Sequence, residues 1–148
     1  MHIKVVTFEE SVRARPGMYF RAGRDNPELP AQVLRTVVWD ALHRRDGTHG
    51  QVSVEIRSDL GFTAVDDQRH PADDLGRPSP GFYDSLLPPG RWAPAAAAAL
   101  STRTVIEVWL DGRGYRQELA GSTPRGQGRT GISRQRSRRW SSRWGRAA

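Results

Sequence analysis

Apolar residues recur at Val33, Leu34, Val37, Val38 and Leu42. Spacings of three and four put them on one face of a helix, so the pattern predicts an amphipathic helix over residues 31–45. Asp46-Gly47-Thr48 follows as its stop. Upstream, residues 8–15 have helical composition and end at Pro16-Gly17. Before them, Ile3-Lys4-Val5-Val6-Thr7 reads as either a short strand or an extended arm. Val52, Val54 and Ile56 alternate with Ser53 and Glu55, the period of a half-buried strand. Ser58-Asp59-Leu60-Gly61 is turn chemistry, and residues 62–65 return as the second strand of a hairpin.

A long loop rich in Asp, Arg and Pro fills residues 66–81, and a short helical turn is expected at 82–87. Five consecutive alanines, Ala95 to Ala99, predict a helix over 93–101. Two further strands, 104–110 and 114–119, flank the hairpin turn Asp111-Gly112. The order is helix, helix, two strands, helix, two strands. It predicts an α+β class, with helices on one face of a largely antiparallel sheet.

Composition changes this picture mainly at the C-terminal end. The 148 residues fit one domain with a modest core. Formal net charge is +7, from 23 basic and 16 acidic residues. Residues 124–148 hold eight arginines and no acidic residue, so the first 123 residues are close to neutral. Nucleic-acid binding could therefore be argued only from the basic tail, where Arg138-Arg139-Trp140 and Arg143-Trp144 have the chemistry to stack on bases and pair with phosphates. The competing expectations are a disordered tail and an out-of-frame product of a GC-rich gene. The chain has no cysteine, which excludes disulfides and thiolate metal sites. No apolar run is long enough to cross a bilayer, and the N-terminus lacks a secretory pattern; no membrane partner and a cytoplasmic location are expected.

The stretch Ser11-Val12-Arg13-Ala14-Arg15-Pro16-Gly17-Met18-Tyr19 resembles the opening signature of the ATPase subunits of DNA gyrase and topoisomerase IV, usually E-A-V-R-K-R-P-G-M-Y-I-G. Further segments follow in family order. Residues 59–67 resemble the hairpin leading into the D-x-G-x-G motif. Gly76-Arg77-Pro78 resembles part of E-G-R-P, and residues 95–101 the helix G-A-S-V-V-N-A-L-S. Residues 105–120 resemble the hairpin R-D-G-K-x-Y-x-Q, and Arg129-Thr130-Gly131 the remnant of a T-G-T strand. The resemblance implies the Bergerat (GHKL) fold, a two-layer sandwich of mixed, mostly antiparallel sheet with helices on one face. It also implies an aromatic, Tyr19, packed under a nucleotide site.

The chemistry implied by the resemblance is ATP hydrolysis. It needs a helix glutamate as base, an asparagine one turn later for Mg²⁺, an aspartate for the adenine amino group, and glycine-rich turns for the phosphates. Two registers are open on the long helix. One makes Asp40 the catalytic base and puts Arg44 at the magnesium position. The other puts Thr36 at the base position and Asp40 at the metal. A third reading leaves Asp40 a solvated helix acid.

The hairpin match places Asp66 at the adenine position, with Asp67 and Arg69 also matching, and assigns Thr130 to nucleotide binding. Gln68 and His70 stand where the family has glycine, and a side chain there crowds the phosphate approach; His70 itself reads as a loop residue. Pro88-Pro89-Gly90-Arg91-Trp92-Ala93-Pro94 replaces the glycine-rich lid. The resulting expectation is a degenerate ATPase-type domain that binds ATP or another adenine-like small molecule weakly, or serves as a scaffold, with Mg²⁺ not retained. An active ATP-binding topoisomerase-like protein, or a nucleic-acid-binding protein acting through its tail, are the alternatives. No oligomeric state is read from the sequence.

Overall fold

In a computed structural model, the structure describes residues 3–44, 46–58, 60–131 and 140–143, with side chains omitted for 127–131 and 140–143. Helix α1 spans Phe8–Ala14. A capping box starts it: Thr7 Oγ1 accepts from Glu10 N at 3.2 Å, and Glu10 Oε2 accepts from Thr7 N at 2.9 Å. Residues 3–7 carry no strand, so of the two readings the extended arm describes them. Pro16 does more than stop α1, since it caps the short helix α2, Gly17–Phe20, and seats the fully buried Phe20. Helix α3, Leu29–Leu42, begins and ends two to three residues earlier than the pattern predicts. Its buried stripe is Leu29, Val33, Val37 and Ala41, one residue every turn.

Strands β1 (Val52–Ile56) and β2 (Phe62–Asp66) form the first hairpin. A single 3₁₀ turn, η1 at Phe82–Asp84, occupies the start of the region expected to be a helical turn. Helix α4, Trp92–Leu100, buries every residue from Ala93 to Ala99. Alanine side chains let it approach α1 and α3 closely, and Arg13 Nε donates to Ala99 O at 2.9 Å near its C-terminus. Strands β3 (Arg103–Leu110) and β4 (Arg113–Ala120) form the second hairpin. Asp111 (φ 49°) and Gly112 (φ 80°) supply the two positive φ values of its tight turn. In β3 the buried positions are Thr104, Ile106, Val108 and Leu110, facing the helices. Across the turn, the Trp109 ring lies over Gly114, where a Cβ would approach it to 2.6 Å.

Two pieces of the basic stretch 124–148, for which disorder is one of the competing expectations, are strands here. Strand β5, Thr123–Gly131, pairs with β4 at the sheet edge, where Pro124 is tolerated. Strand β6, Trp140–Arg143, inserts between β2 and β3. The sheet order is β1-β2-β6-β3-β4-β5, and every described pairing is antiparallel. Residues 132–139 and 144–148 lie outside the described residues, including Arg138, Arg139 and Trp144, on which the stacking argument depends. Helices cover one face of this sheet, and the core is one cluster built from Val12, Phe20, Val33, Val37, Ile106 and Leu119 with the alanines of α4.

Candidate functional site

The end of β2 with the loop after it, the segment before α4 and the middle of β3 meet around a cavity of about 240 Å³. Its wall includes Asp66, Arg69, His70, Pro88, Arg91 and Glu107. Asp66 is the last residue of β2, and the pleat ends there, so its side chain and the loop that follows both reach the cavity. Asp66 Oδ1 accepts from Gln68 N at 3.0 Å, a side-chain turn that fixes the start of the loop.

The other oxygen, Asp66 Oδ2, takes Arg91 Nη2 at 3.0 Å. The same guanidinium holds Asp40, with Nε at 2.7 Å and Nη2 at 2.6 Å from Asp40 Oδ2. Side-chain exposures of 16% for Arg91, 21% for Asp40 and 12% for Asp66 put the triad under partial cover, where charged hydrogen bonds are stronger than at an open surface. The structure thus brings Asp40 and Asp66 together, and it does so through Arg91, from the segment that stands in the place of the lid. Arg91 lies 51 residues from Asp40 and 25 from Asp66. No spacing along the chain signals such a contact.

The remaining predicted residues divide. Asp67 turns away from Arg91 and anchors the strand start. Its Oδ1 accepts from Gln51 N at 2.9 Å, and its Oδ2 pairs with Arg44 Nη2 at 2.5 Å. The Gln51 amide first, and then the Arg44 guanidinium, hold its carboxyl below the usual carboxylate range. Arg44, pulled up by the same pair, is therefore a strut for Asp67. Arg69 is exposed at the rim of the cavity.

Thr130 lies in β5, at the far side of the sheet. Its strand is four strand spacings from β2, roughly 19 Å at ordinary inter-strand distance, so the fold does not bring it beside Asp66. His70 is buried in the loop, with Nδ1 2.9 Å from Pro71 O. Gln68, the other glycine replacement, uses its side-chain amide to donate to Asp40 O at 2.7 Å and Ala41 O at 3.1 Å. It satisfies two carbonyls of the last turn of α3, which have no partner within the helix.

The motif segments settle nearby. Tyr19 hydroxyl meets Ser11 Oγ at 2.8 Å, and its ring packs on Trp92, next to Arg91. Gly76-Arg77-Pro78 closes a small loop: Arg77 N and Leu75 N both donate to Asp73 Oδ1, and Arg77 Nε pairs with Asp73 Oδ2, each at 2.9 Å. In the lid position, Pro94 in the first turn of α4 removes one backbone donor, and Arg91 fills the space in front.

A magnesium ion does not fit this arrangement. In either register its carboxylate ligand would be Asp40, whose Oδ2 already carries two guanidinium contacts, so the ion would sit against a positive charge. Among the described residues, no group of three His, Asp or Glu is placed to hold a metal. Nor, among them, is any helix long and apolar enough to cross a membrane.

No protein-family model and no curated protein matches the chain by sequence. Solved structures do match. The B-subunit of the DNA gyrase from Myxococcus xanthus superposes with a TM-score of 0.61 at 24% identity, over 91% of this chain and 42% of that one. The 43K ATPase domain of Thermus thermophilus gyrase B, in complex with an aminocoumarin, gives a TM-score of 0.67 at 20% identity, over 93% of this chain and 39% of that one. The chain spans about two fifths of the length of either structure. Identities this low speak for architecture alone, and that architecture is the GHKL fold of gyrase B ATPase domains.

Proposed function

We propose that this chain is a non-hydrolysing member of the GHKL architecture, a pseudo-ATPase domain whose pocket keeps an acceptor for an adenine-like ligand and has lost the apparatus for turnover. The observation that carries the reading is the Arg91 bridge between Asp40 and Asp66. A general base must present a lone pair to an attacking water. Here Asp40 Oδ2 carries two contacts from a guanidinium, which draws its lone pairs away from a water. The segment before α4 offers the triphosphate two prolines and an arginine side chain in place of a row of glycine amides. Asp66, at the end of β2 and on the wall of the cavity, remains the residue suited to accept a hydrogen bond from an exocyclic amino group.

Phosphate release from ATP is the direct test, measured with and without Mg²⁺ on the intact chain and on Asp40→Ala. Losing one catalytic group commonly costs orders of magnitude in rate, and several are replaced together here. No turnover above background is expected from either protein. Magnesium-dependent turnover that disappears in Asp40→Ala would overturn the proposal.

A further inference from the structure

Arg91 is the residue before α4, and its guanidinium makes no capping bond to that helix. It reaches Asp40 and Asp66 instead, after a left-handed turn at Gly90 (φ 72°). Pro88, three residues earlier, is buried, so the segment is anchored while its arginine reaches out. The guanidinium contacts both predicted acids and itself forms part of the cavity wall. With Gln68 N on Asp66 Oδ1 and Arg91 on Asp66 Oδ2, each carboxylate oxygen of Asp66 already has a donor from within the chain.

We infer that Arg91 is an autoinhibitory occupant of the pocket: the chain's own guanidinium holds the acceptor that an amino-bearing heterocycle must use, and ligand enters when Arg91 leaves. The inference rests on the reading of Asp66 as the pocket's acceptor given above. Three physical points support it. A guanidinium N–H and an exocyclic amino N–H are the same kind of donor, and Arg91, on the cavity wall, takes up space beside the Asp66 oxygen that both would use. The internal donor is charged, and its hydrogen bond to a carboxylate is stronger than one from a neutral amine. It is also tethered, so it acts at an effective concentration of about millimolar or higher without any encounter step. A ligand therefore binds the intact chain weakly even if the vacated pocket fits it well.

Calorimetry with adenosine separates the possibilities, using the full chain, Arg91→Ala, Arg91→Lys, Asp66→Asn and the double variant Arg91→Ala/Asp66→Asn, each first shown to melt cooperatively. Arg91→Ala is expected to bind adenosine about tenfold tighter or more than the intact chain. Arg91→Lys should fall between them, because an ammonium lacks the fork that bridges two carboxylates. Methylguanidinium should displace adenosine from Arg91→Ala, and the double variant should lose the gain. Equal affinity in the intact chain and Arg91→Ala overturns the inference while leaving Asp66 as the acceptor, provided that Asp66→Asn alone weakens binding. If Arg91→Ala does not fold, the same comparison is made with Arg91→Lys, and equal affinity there overturns it. Adenosine binding by none of the proteins overturns both this inference and the ligand-binding part of the function proposed above.

Discussion

Arg91→Met isolates what the bridge contributes to stability. Methionine keeps most of the aliphatic stem and removes the guanidinium, so packing changes little while two ion pairs disappear. Exposed pairs contribute about 0–1 kcal/mol, whereas removing one partner of a buried pair costs about 3–5 kcal/mol, because the other charge is left uncompensated. The side-chain exposures of 12% for Asp66, 16% for Arg91 and 21% for Asp40 place the triad between these limits and nearer the buried one. Without Arg91, two carboxylates that shared one nitrogen also face each other with like charge.

A loss of about 2–3 kcal/mol is expected on these grounds. For a chain of 148 residues it lowers Tm by roughly 4–12 °C. Thermal unfolding followed by circular dichroism in low salt reads it directly. Adding Asp40→Asn to Arg91→Met should recover part of the loss, because the like-charge term goes with it. A shift below about 1 °C for Arg91→Met, or no recovery in the double variant, would show that the guanidinium is not held between the two acids and that the pocket is open without it.

Two further outcomes follow from the fold and from the electrostatics. Truncation after Gly131 removes β6, which separates β2 from β3, so the two hairpins lose the strand that joins them into one sheet; Tm should fall by several degrees with broadening of the transition, and an unchanged melting curve would show that residues 140–143 do not complete the sheet. Asp67, held below its ordinary value of 3.8 by the Gln51 amide and Arg44, stabilises the folded state above that value, and its contribution is lost as pH falls through the lower folded value; Asp67→Asn should therefore flatten the acid limb of a stability profile below about pH 4 and leave its neutral limb parallel, and an unchanged acid limb would refute the anchoring role.

Local signals in the sequence predicted most of the framework. Alternation at Val52, Val54 and Ile56 marks β1, and a stripe repeating every three to four residues marks α3. Asp111-Gly112 marks the second hairpin because two adjacent positive φ values are tolerated there. These patterns are legible because helix and strand periods are properties of neighbouring residues. The placement of Asp66 at the end of β2 is what the resemblance to the family's hairpin implies, whereas the alternation by itself ends the strand at Val65.

What the chain order did not contain was decided by the tertiary structure. Which alternate residues of β3 face the core depends on the helices packed against it, and Thr104 joins Ile106, Val108 and Leu110 on the buried side although it is polar. The position of β6 between β2 and β3 depends on pairing with strands far away in sequence, while the arginines around it suggested only a charged tail. Thr130 was assigned to the pocket by motif order, and sheet order sets its strand four spacings away. Gln68 has no local role as a glycine replacement until α3 ends beside it, where its amide finds two carbonyls lacking a partner within the helix. Arg91 is the sharpest case: α3 and β2 bring two carboxylates of like charge close together, and a guanidinium from the segment before α4 pairs with both. Charge compensation under partial cover is a condition on three dimensions, and residues 25 and 51 positions apart meet it only once the layers have packed.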